Sequence, residues 1–146
     1  MEIDKVQVAV DLQVITHDGV KEHPFINVSF NGYPQYGEVT QEDVTVEFTA
    51  PTHNINRLTV EYFNKDPLQD VVVEQGEIVA DKRIQITGIR IEDISLDLNT
   101  LDSLTYECSD PDGEDATGFA ATKLSWNGRT SLQLTSPIYM WLLDNL

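Results

Sequence analysis

Residues 6 to 14 read Val6-Gln7-Val8-Ala9-Val10-Asp11-Leu12-Gln13-Val14, and apolar side chains stand at every second position, joined by the small Ala9. Successive side chains of an extended strand point to opposite faces, so this period of two predicts a long, half-buried strand. The same alternation returns at residues 44–48, 58–62 and 104–106. A further apolar run from Ile84 to Leu98 changes phase at Gly88, which predicts a bulge or bend within one long strand.

Turn signals separate these segments. Asp18-Gly19 lies between the first strand and residues 25–30, and Asn127-Gly128 lies between residues 123–126 and 129–135. Both dipeptides supply the positive φ angles of tight turns, so each predicts a hairpin. Residues 31–37 predict a turn-rich loop.

The whole pattern predicts an all-β fold. Short strands with turn signals at intervals of about 8 to 12 residues favour a two-sheet antiparallel β-sandwich of the jelly-roll type. No linker or repeat divides the chain, so residues 1–146 are expected to form a single domain. Residues 138–146 predict either one short terminal helix or a last strand in the core.

Charge and hydropathy exclude several function classes. Twenty-five Asp and Glu against nine Lys and Arg give a net charge of -16. Such a field repels phosphate backbones, so we expect no nucleic-acid partner. No apolar run approaches the length of about 18 residues that a membrane span needs, and residues 1–8 lack the features of a secretory signal.

Catalytic signatures are missing from the sequence. It contains no Gly-x-Ser-x-Gly, His-Glu-x-x-His, P-loop or Gly-x-Gly-x-x-Gly motif, so we expect a protein that is not an enzyme. Asp93 and Asp97 are interpreted as solvated strand residues, because a glycosidase pair must face across a cleft. The single Cys108 cannot form an intramolecular disulfide and is interpreted as a half-buried strand thiol.

An acidic segment at residues 108–118 contains the densest group of oxygen ligands. Asp110 and Asp112 alternate before Gly113, as in the first half of a calcium loop, and Asp115 follows. Two interpretations stay open, namely a solvated surface loop and a Ca²⁺ site with Asp110, Asp112 and Asp115 as ligands.

Aromatic residues in predicted turns suggest contacts with sugar rings, because a flat ring packs on the apolar face of a pyranose while amides bind its hydroxyl groups. The candidate glycan-binding residues are Tyr33, Tyr36, Trp126 and Asn127. The alternative for Trp126 is a core-facing residue at the end of the sandwich. Residues 53–56, His-Asn-Ile-Asn, are interpreted as plain turn chemistry.

Residues 58–66 and 81–94 resemble a pattern in calcium-dependent xylan-binding carbohydrate-binding modules, which are jelly rolls. The shared features are a strand ending in an Asn-containing turn, then an Asp at position 81 that opens an Ile-rich strand. Lys65 stands where the second acid of that turn would be, and Lys82-Arg83 replaces the Arg-Asn that follows the Asp. The resemblance implies a sandwich fold, sugar binding and Ca²⁺ as a cofactor.

Residues 123–143 are similar to small jelly-roll proteins of tailed bacteriophages, particularly cyanophages. That resemblance implies a virion protein that assembles in the host cytoplasm, where no signal peptide is needed. Its partners would be other virion proteins, further copies of itself, or host surface polysaccharide.

These observations predict a non-enzymatic structural or adhesion protein of a bacteriophage, on the tail fibre or capsid surface. One alternative is a capsid decoration or tail and neck assembly protein that binds no glycan. A second alternative is the accessory module of a hydrolase that acts on polysaccharide.

Overall fold

A computed structural model describes residues 5–17, 20, 22–111 and 113–146 of the chain. Most of these residues lie in extended strands, joined by short turns and two short helices. The elements are β1 (Lys5–Ile15), β2 (Phe25–Phe30), β3 (Tyr33–Val39), β4 (Val44–Pro51), β5 (Ile55–Tyr62), α1 (Pro67–Asp70), β6 (Val72–Glu74), β7 (Glu77–Ala80), β8 (Arg83–Ile91), β9 (Ile94–Ser95), β10 (Thr105–Cys108), β11 (Ala116–Thr117), a 3-10 turn (Gly118–Thr122), β12 (Lys123–Leu124), β13 (Gly128–Thr135) and α2 (Ile138–Asn145).

Two antiparallel sheets face each other. Sheet A has the strand order β12-β8-β1-β4, with β9 paired to β8, and sheet B has the order β11-β10-β13-β5-β2-β3. A separate hairpin joins β6 to β7. The predicted two-sheet β-sandwich and the short terminal helix are both confirmed.

The core lies between the sheets and is built from the alternation visible in the sequence. Each fully buried aliphatic side chain contributes about 1.5 to 3 kcal/mol to folding, so two facing rows dominate the stability. Sheet A contributes Val6, Val8, Val10, Leu12, Val46, Ile84, Ile86, Ile89 and Ile91, and sheet B contributes Ile26, Val28, Phe30, Leu58, Val60, Tyr62, Leu132 and Leu134.

The irregularity predicted at Gly88 is present. Asp11 pairs with Gly88, but the next residue of β1 pairs with Ile86, so Thr87 is an extra residue in β8. The bulge keeps isoleucines on the core face on both sides of the phase change. The prediction of one strand as far as Leu98 is wrong, because β8 ends at Ile91.

A tight turn ends β8. Glu92 and Asp93 have φ angles of 53° and 62°, and β9 then folds back to pair with β8. The Glu92 main-chain N–H donates to the Gln7 carbonyl oxygen at 2.9 Å, which attaches the turn to β1. Asp93 is therefore a turn residue, contrary to its interpretation as part of a strand.

The two predicted hairpins do not form. β1 pairs with β4 and β8 in sheet A, whereas β2 pairs with β3 and β5 in sheet B, and Asp18-Gly19 lies outside the described residues. Asn127-Gly128 likewise joins β12 of sheet A to β13 of sheet B. The tight Asn-Gly hairpin is instead Asn31-Gly32, with φ angles of 53° and 82°, between β2 and β3. The prediction of a loop over residues 31–37 is wrong beyond this turn, because residues 33–37 belong to β3.

Helix α2 closes the fold after β13. Its buried residues are Ile138, Trp141 and Leu142, which join the core cluster. No helix within the described ranges has both the length and the apolar character that crossing a bilayer requires.

Gly128 is required by close packing. A Cβ at this position would collide with the main-chain oxygen of Glu107 and lie 2.8 Å from the Tyr106 hydroxyl oxygen. We expect Gly128→Ala to lower the free energy of unfolding by about 2 kcal/mol, because the neighbouring strand must move. Urea denaturation measures this change.

Gly37→Ala is the matched control, since its Cβ would meet only the Asn27 Oδ1 atom at 3.7 Å. Equal stabilities of the two variants would contradict the proposed steric role of Gly128.

Candidate functional site

The strand register separates the sequence-predicted site residues into two groups. In sheet B, Gly128 is opposite Tyr62, which is opposite Ile26, and these residues mark one end of the sandwich. Phe30 is opposite both Leu58 and Tyr33 at the other end. We call these the Asn127 end and the Tyr33 end. Tyr33 and Trp126 therefore cannot contact the same sugar ring.

Asn127 holds the Asn127 end together. Its Oδ1 accepts from the Lys65 main-chain N–H at 2.8 Å, and its Nδ2 donates to the Lys65 carbonyl oxygen at 2.8 Å. Its own main-chain N–H donates to the Asp110 carboxylate at 3.0 Å. These bonds connect the start of β13 to the segment after β5, so the predicted glycan-binding amide is engaged within the protein.

Trp126 is half-buried at the same end. The Lys65 ammonium lies 5.5 Å from the centre of its ring, and a Cβ at Gly113 would come within 3.0 Å of its Cγ. Its carbonyl oxygen accepts from the Tyr106 hydroxyl at 2.6 Å. Burial raises the pKa of Tyr106 well above its usual range, so the phenol stays a donor.

Two carboxylates of the acidic segment accept hydrogen bonds from main-chain N–H groups. Asp110 accepts from Asn127, and the Asp115 Oδ1 atom accepts from the Cys108 main-chain N–H at 2.8 Å. Asp112 lies outside the described residues. Among the residues that the structure describes, no three His, Cys, Asp or Glu side chains are grouped to hold a metal ion. Cys108 is half-buried at the end of β10, as expected.

Two buried lysines are a feature that sequence reasoning did not predict. Lys65 and Lys82 are only 6% and 1% exposed. The Lys65 ammonium donates to the Asp81 Oδ1 atom at 2.6 Å and to the Ser125 carbonyl oxygen. The Lys82 ammonium donates to the Asn64 carbonyl oxygen at 2.9 Å and lies 3.4 Å from the Asp70 Oδ2 atom.

Asn56 organises the Tyr33 end. This fully buried amide accepts from the His53 main-chain N–H at 2.8 Å and donates to the His53 carbonyl oxygen at 2.9 Å and the Leu134 carbonyl oxygen at 3.3 Å. It also accepts from the Asn31 Nδ2 atom at 3.0 Å. Residues 53–56 thus make the local hydrogen bonds of a turn that leads into β5.

A groove opens beside this network. Its volume is about 320 Å³, and the Tyr33 side chain that lines it is 70% exposed. Buried Phe30 and Ala50 contribute apolar surface to the groove. The residues that line it are Phe30, Asn31, Tyr33, Gln35, Thr49, Ala50, Pro51 and His53. None of these described residues is acidic, although the chain carries a net charge of -16.

Tyr36, three residues after Tyr33, has a different environment. Its ring packs against the hydrophobic core, and its hydroxyl oxygen is 2.8 Å from the Thr40 Oγ1 atom. Tyr36 is not among the residues of the groove. The tyrosine pair therefore divides into one exposed ring and one half-buried ring.

A second groove of about 310 Å³ lies on sheet A and is strongly polar. Arg90 contacts the Asp11 carboxylate at 3.2 Å and the Glu47 carboxylate at 3.9 Å, and Asp93 lines the rim. Asp97 follows β9 and is not a strand residue, contrary to its interpretation from the sequence, and its Oδ1 atom accepts from the Asn99 main-chain N–H at 3.0 Å. Among the described residues that line the sheet A groove, Phe48 is the only aromatic one, and its ring packs against the core.

Replacing Asn127 tests its structural role. We expect Asn127→Ala to lower the free energy of unfolding by about 2 kcal/mol, because the Lys65 main-chain groups lose their partners. Urea denaturation measures the loss. Asn54→Ala, at an exposed position, is the control and should be nearly neutral. Wild-type stability of Asn127→Ala would contradict the assigned role.

Comparisons with known proteins agree on the architecture. No family model matches the chain, and no curated protein matches it. One similar solved structure is vCBM60 in complex with galactobiose, with a TM-score of 0.51 and 12% identity over 86% of this chain and 96% of that chain.

Another is a selenomethionine form of vCBM60, with a TM-score of 0.52 and 13% identity over 87% of this chain and 89% of that chain. It comes from work on a circular permutation that links two families of calcium-dependent carbohydrate-binding modules. At these identities the likeness concerns the fold alone, and the chain shares its β-sandwich fold with vCBM60.

Proposed function

We propose that this protein is a non-enzymatic glycan-binding module whose site is the groove at the Tyr33 end. The observation that carries the proposal is an exposed aromatic ring beside an uncharged groove on a strongly acidic protein. The fold supports it, since a structural neighbour is a module in complex with galactobiose. The sheet A groove is less suitable, because its cation is paired internally and it offers no exposed ring.

The groove supplies the two kinds of contact that a sugar needs. Tyr33 offers a flat face for the apolar side of a pyranose. Gln35, Thr49 and His53 offer an amide, a hydroxyl and an imidazole along the same groove, where they can bind ring hydroxyl groups. Its open form suits about one or two sugar rings within a longer chain.

Charge narrows the class of ligand. The net charge of -16 repels sulfated and uronic-acid polymers, and no described cation lines the groove to offset that repulsion. We therefore propose a neutral polysaccharide as the ligand.

Tyr33→Ala tests the site. We expect binding of a neutral oligosaccharide to weaken about tenfold, because losing the ring contact corresponds to about 1.4 kcal/mol. Tyr33→Phe should retain most of the affinity. A glycan array would identify the ligand, and calorimetry would measure the dissociation constants.

Tyr139→Ala is the matched control, because Tyr139 lies on α2 and is 53% exposed. Loss of binding in Trp126→Ala but not in Tyr33→Ala would move the site to the Asn127 end. Release of reducing ends from the bound polysaccharide would contradict a non-enzymatic role.

We also propose that the protein is a bacteriophage virion component that binds host surface polysaccharide. The similarity of residues 123–143 to small phage jelly-roll proteins supports this placement. Neighbouring genes for capsid, neck or tail proteins are the expected finding, and a cellular operon would contradict it.

A second candidate function is virion assembly without glycan binding. The surface of α2 favours it, because Met140, Leu143 and Leu146 are exposed apolar side chains beside the exposed ring of Tyr139. An apolar surface of this kind is suited to a protein partner or a second copy.

Light scattering separates the two functions. For the glycan-binding module we expect a monomer whose mass is unchanged by Leu143→Glu. An oligomer that Leu143→Glu dissociates, combined with no binding on a glycan array, would favour assembly.

A further inference from the structure

The lysine cluster, defined as Lys65 and Lys82 with Asp70 and Asp81, is an unusual feature of the Asn127 end. Lysine is almost never fully buried without a partner, because its ammonium loses hydration. Here both ammonium groups are nearly inaccessible, the Asp70 carboxylate is buried with them, and the Asp81 carboxylate is half-buried. Two of the chain's nine basic residues are therefore placed inside an acidic protein.

Every hydrogen-bond partner of these ammonium groups is an oxygen atom. Lys65 binds the Asp81 carboxylate and the Ser125 carbonyl oxygen, and Lys82 binds the Asn64 carbonyl oxygen and the Asp70 carboxylate. Carboxylate and main-chain carbonyl oxygens are also the ligands that Ca²⁺ prefers. The cluster thus combines the oxygen ligands of a divalent cation site with two lysines.

The cluster does not fit a metal ion. A divalent ion would meet two ammonium groups that are already bonded to the available oxygen atoms. Two ammonium groups together carry the same charge as one Ca²⁺. The two families linked to vCBM60 are named as calcium-dependent, whereas the oxygen atoms of this cluster are already bonded to ammonium groups.

We infer that Lys65 and Lys82 form a built-in cation that stabilises this end of the sandwich in place of a bound divalent ion. The contacts join segments of both sheets, since Lys65 follows β5 of sheet B while Asp81 precedes β8 and Ser125 follows β12 of sheet A. The Lys82 ammonium connects α1 to these segments, because it contacts the carboxylate of Asp70 at the end of α1. The same carboxylate accepts from the Asp66 main-chain N–H at 2.7 Å. The lysine cluster consequently needs no calcium ion to balance its two carboxylates.

Thermal unfolding of the full chain tests the inference directly. We expect the same Tm in EDTA and in millimolar calcium chloride, measured by circular dichroism. A Tm that rises by several degrees with calcium would overturn the proposal. This measurement needs no glycan. A Tm that depends on calcium would therefore contradict the role of the lysines without contradicting the proposed glycan site.

Lysine-to-methionine variants test whether the lysine ammonium groups, and not a bound calcium ion, supply the positive charge that balances Asp70 and Asp81. Methionine keeps an unbranched apolar stem and removes the ammonium group. We expect Lys65→Met and Lys82→Met each to lower Tm by about 10 °C, equally with and without calcium, because a buried carboxylate loses its partner. Lys5→Met, at an exposed position of β1, is the control and should leave Tm nearly unchanged.

A milder variant covers the case in which neither lysine variant folds. Asp81→Asn keeps an acceptor oxygen for Lys65 but removes the charge, and Asp81 is more accessible than Asp70. We expect Asp81→Asn to fold with a lower Tm that calcium does not restore. A wild-type Tm in Lys65→Met and Asp81→Asn would overturn the proposal.

Discussion

The structure depends on how main-chain polar groups are paired where the chain crosses between sheets. Within a sheet the strand ladder pairs these groups, but a crossing segment has no adjacent strand, and a buried unpaired group destabilises the fold by about 1 to 3 kcal/mol. Asn127, placed where β12 leads into β13, supplies partners to the main-chain N–H and carbonyl groups of Lys65 in the segment that leaves β5. Asn56 does the same around His53 and Leu134. Each end of the sandwich is thus organised by one amide side chain.

Local pattern predicted the strands but not their partners. Alternation identified β1, β4 and β5 because a half-buried strand imposes a period of two on its own sequence. Hairpin prediction failed because the same dipeptide has two uses. In Asn31-Gly32 both residues adopt positive φ and close a hairpin, whereas Gly128 makes room for the neighbouring strand at a crossing. Only the tertiary structure distinguishes these uses.

The candidate site was predicted only in part, because local sequence does not show which segments meet in the tertiary structure. Tyr33 was singled out because an aromatic residue next to a turn signal is a local pattern, although it lies at the start of β3. Thr49 and His53 were not predicted as groove residues, because they arrive from the end of β4 and the segment after it. Burial of Lys65 and Lys82 also escaped prediction, since lysine is usually a surface residue. The only sequence signal for Lys65 and Lys82 was that both stand at positions where this chain departs from the pattern of the xylan-binding modules.

The lysine cluster and the proposed recognition site occupy opposite ends of the sandwich. The groove residues Gln35, Thr49 and His53 share no contact with the lysine cluster. Substitutions at distant, independent positions usually have additive effects on the free energy of unfolding. Diversifying these three positions would therefore leave the network around Lys65 and Lys82 intact. The sandwich can consequently serve as a scaffold for combinatorial libraries, in which binding specificity is selected without reselecting the fold.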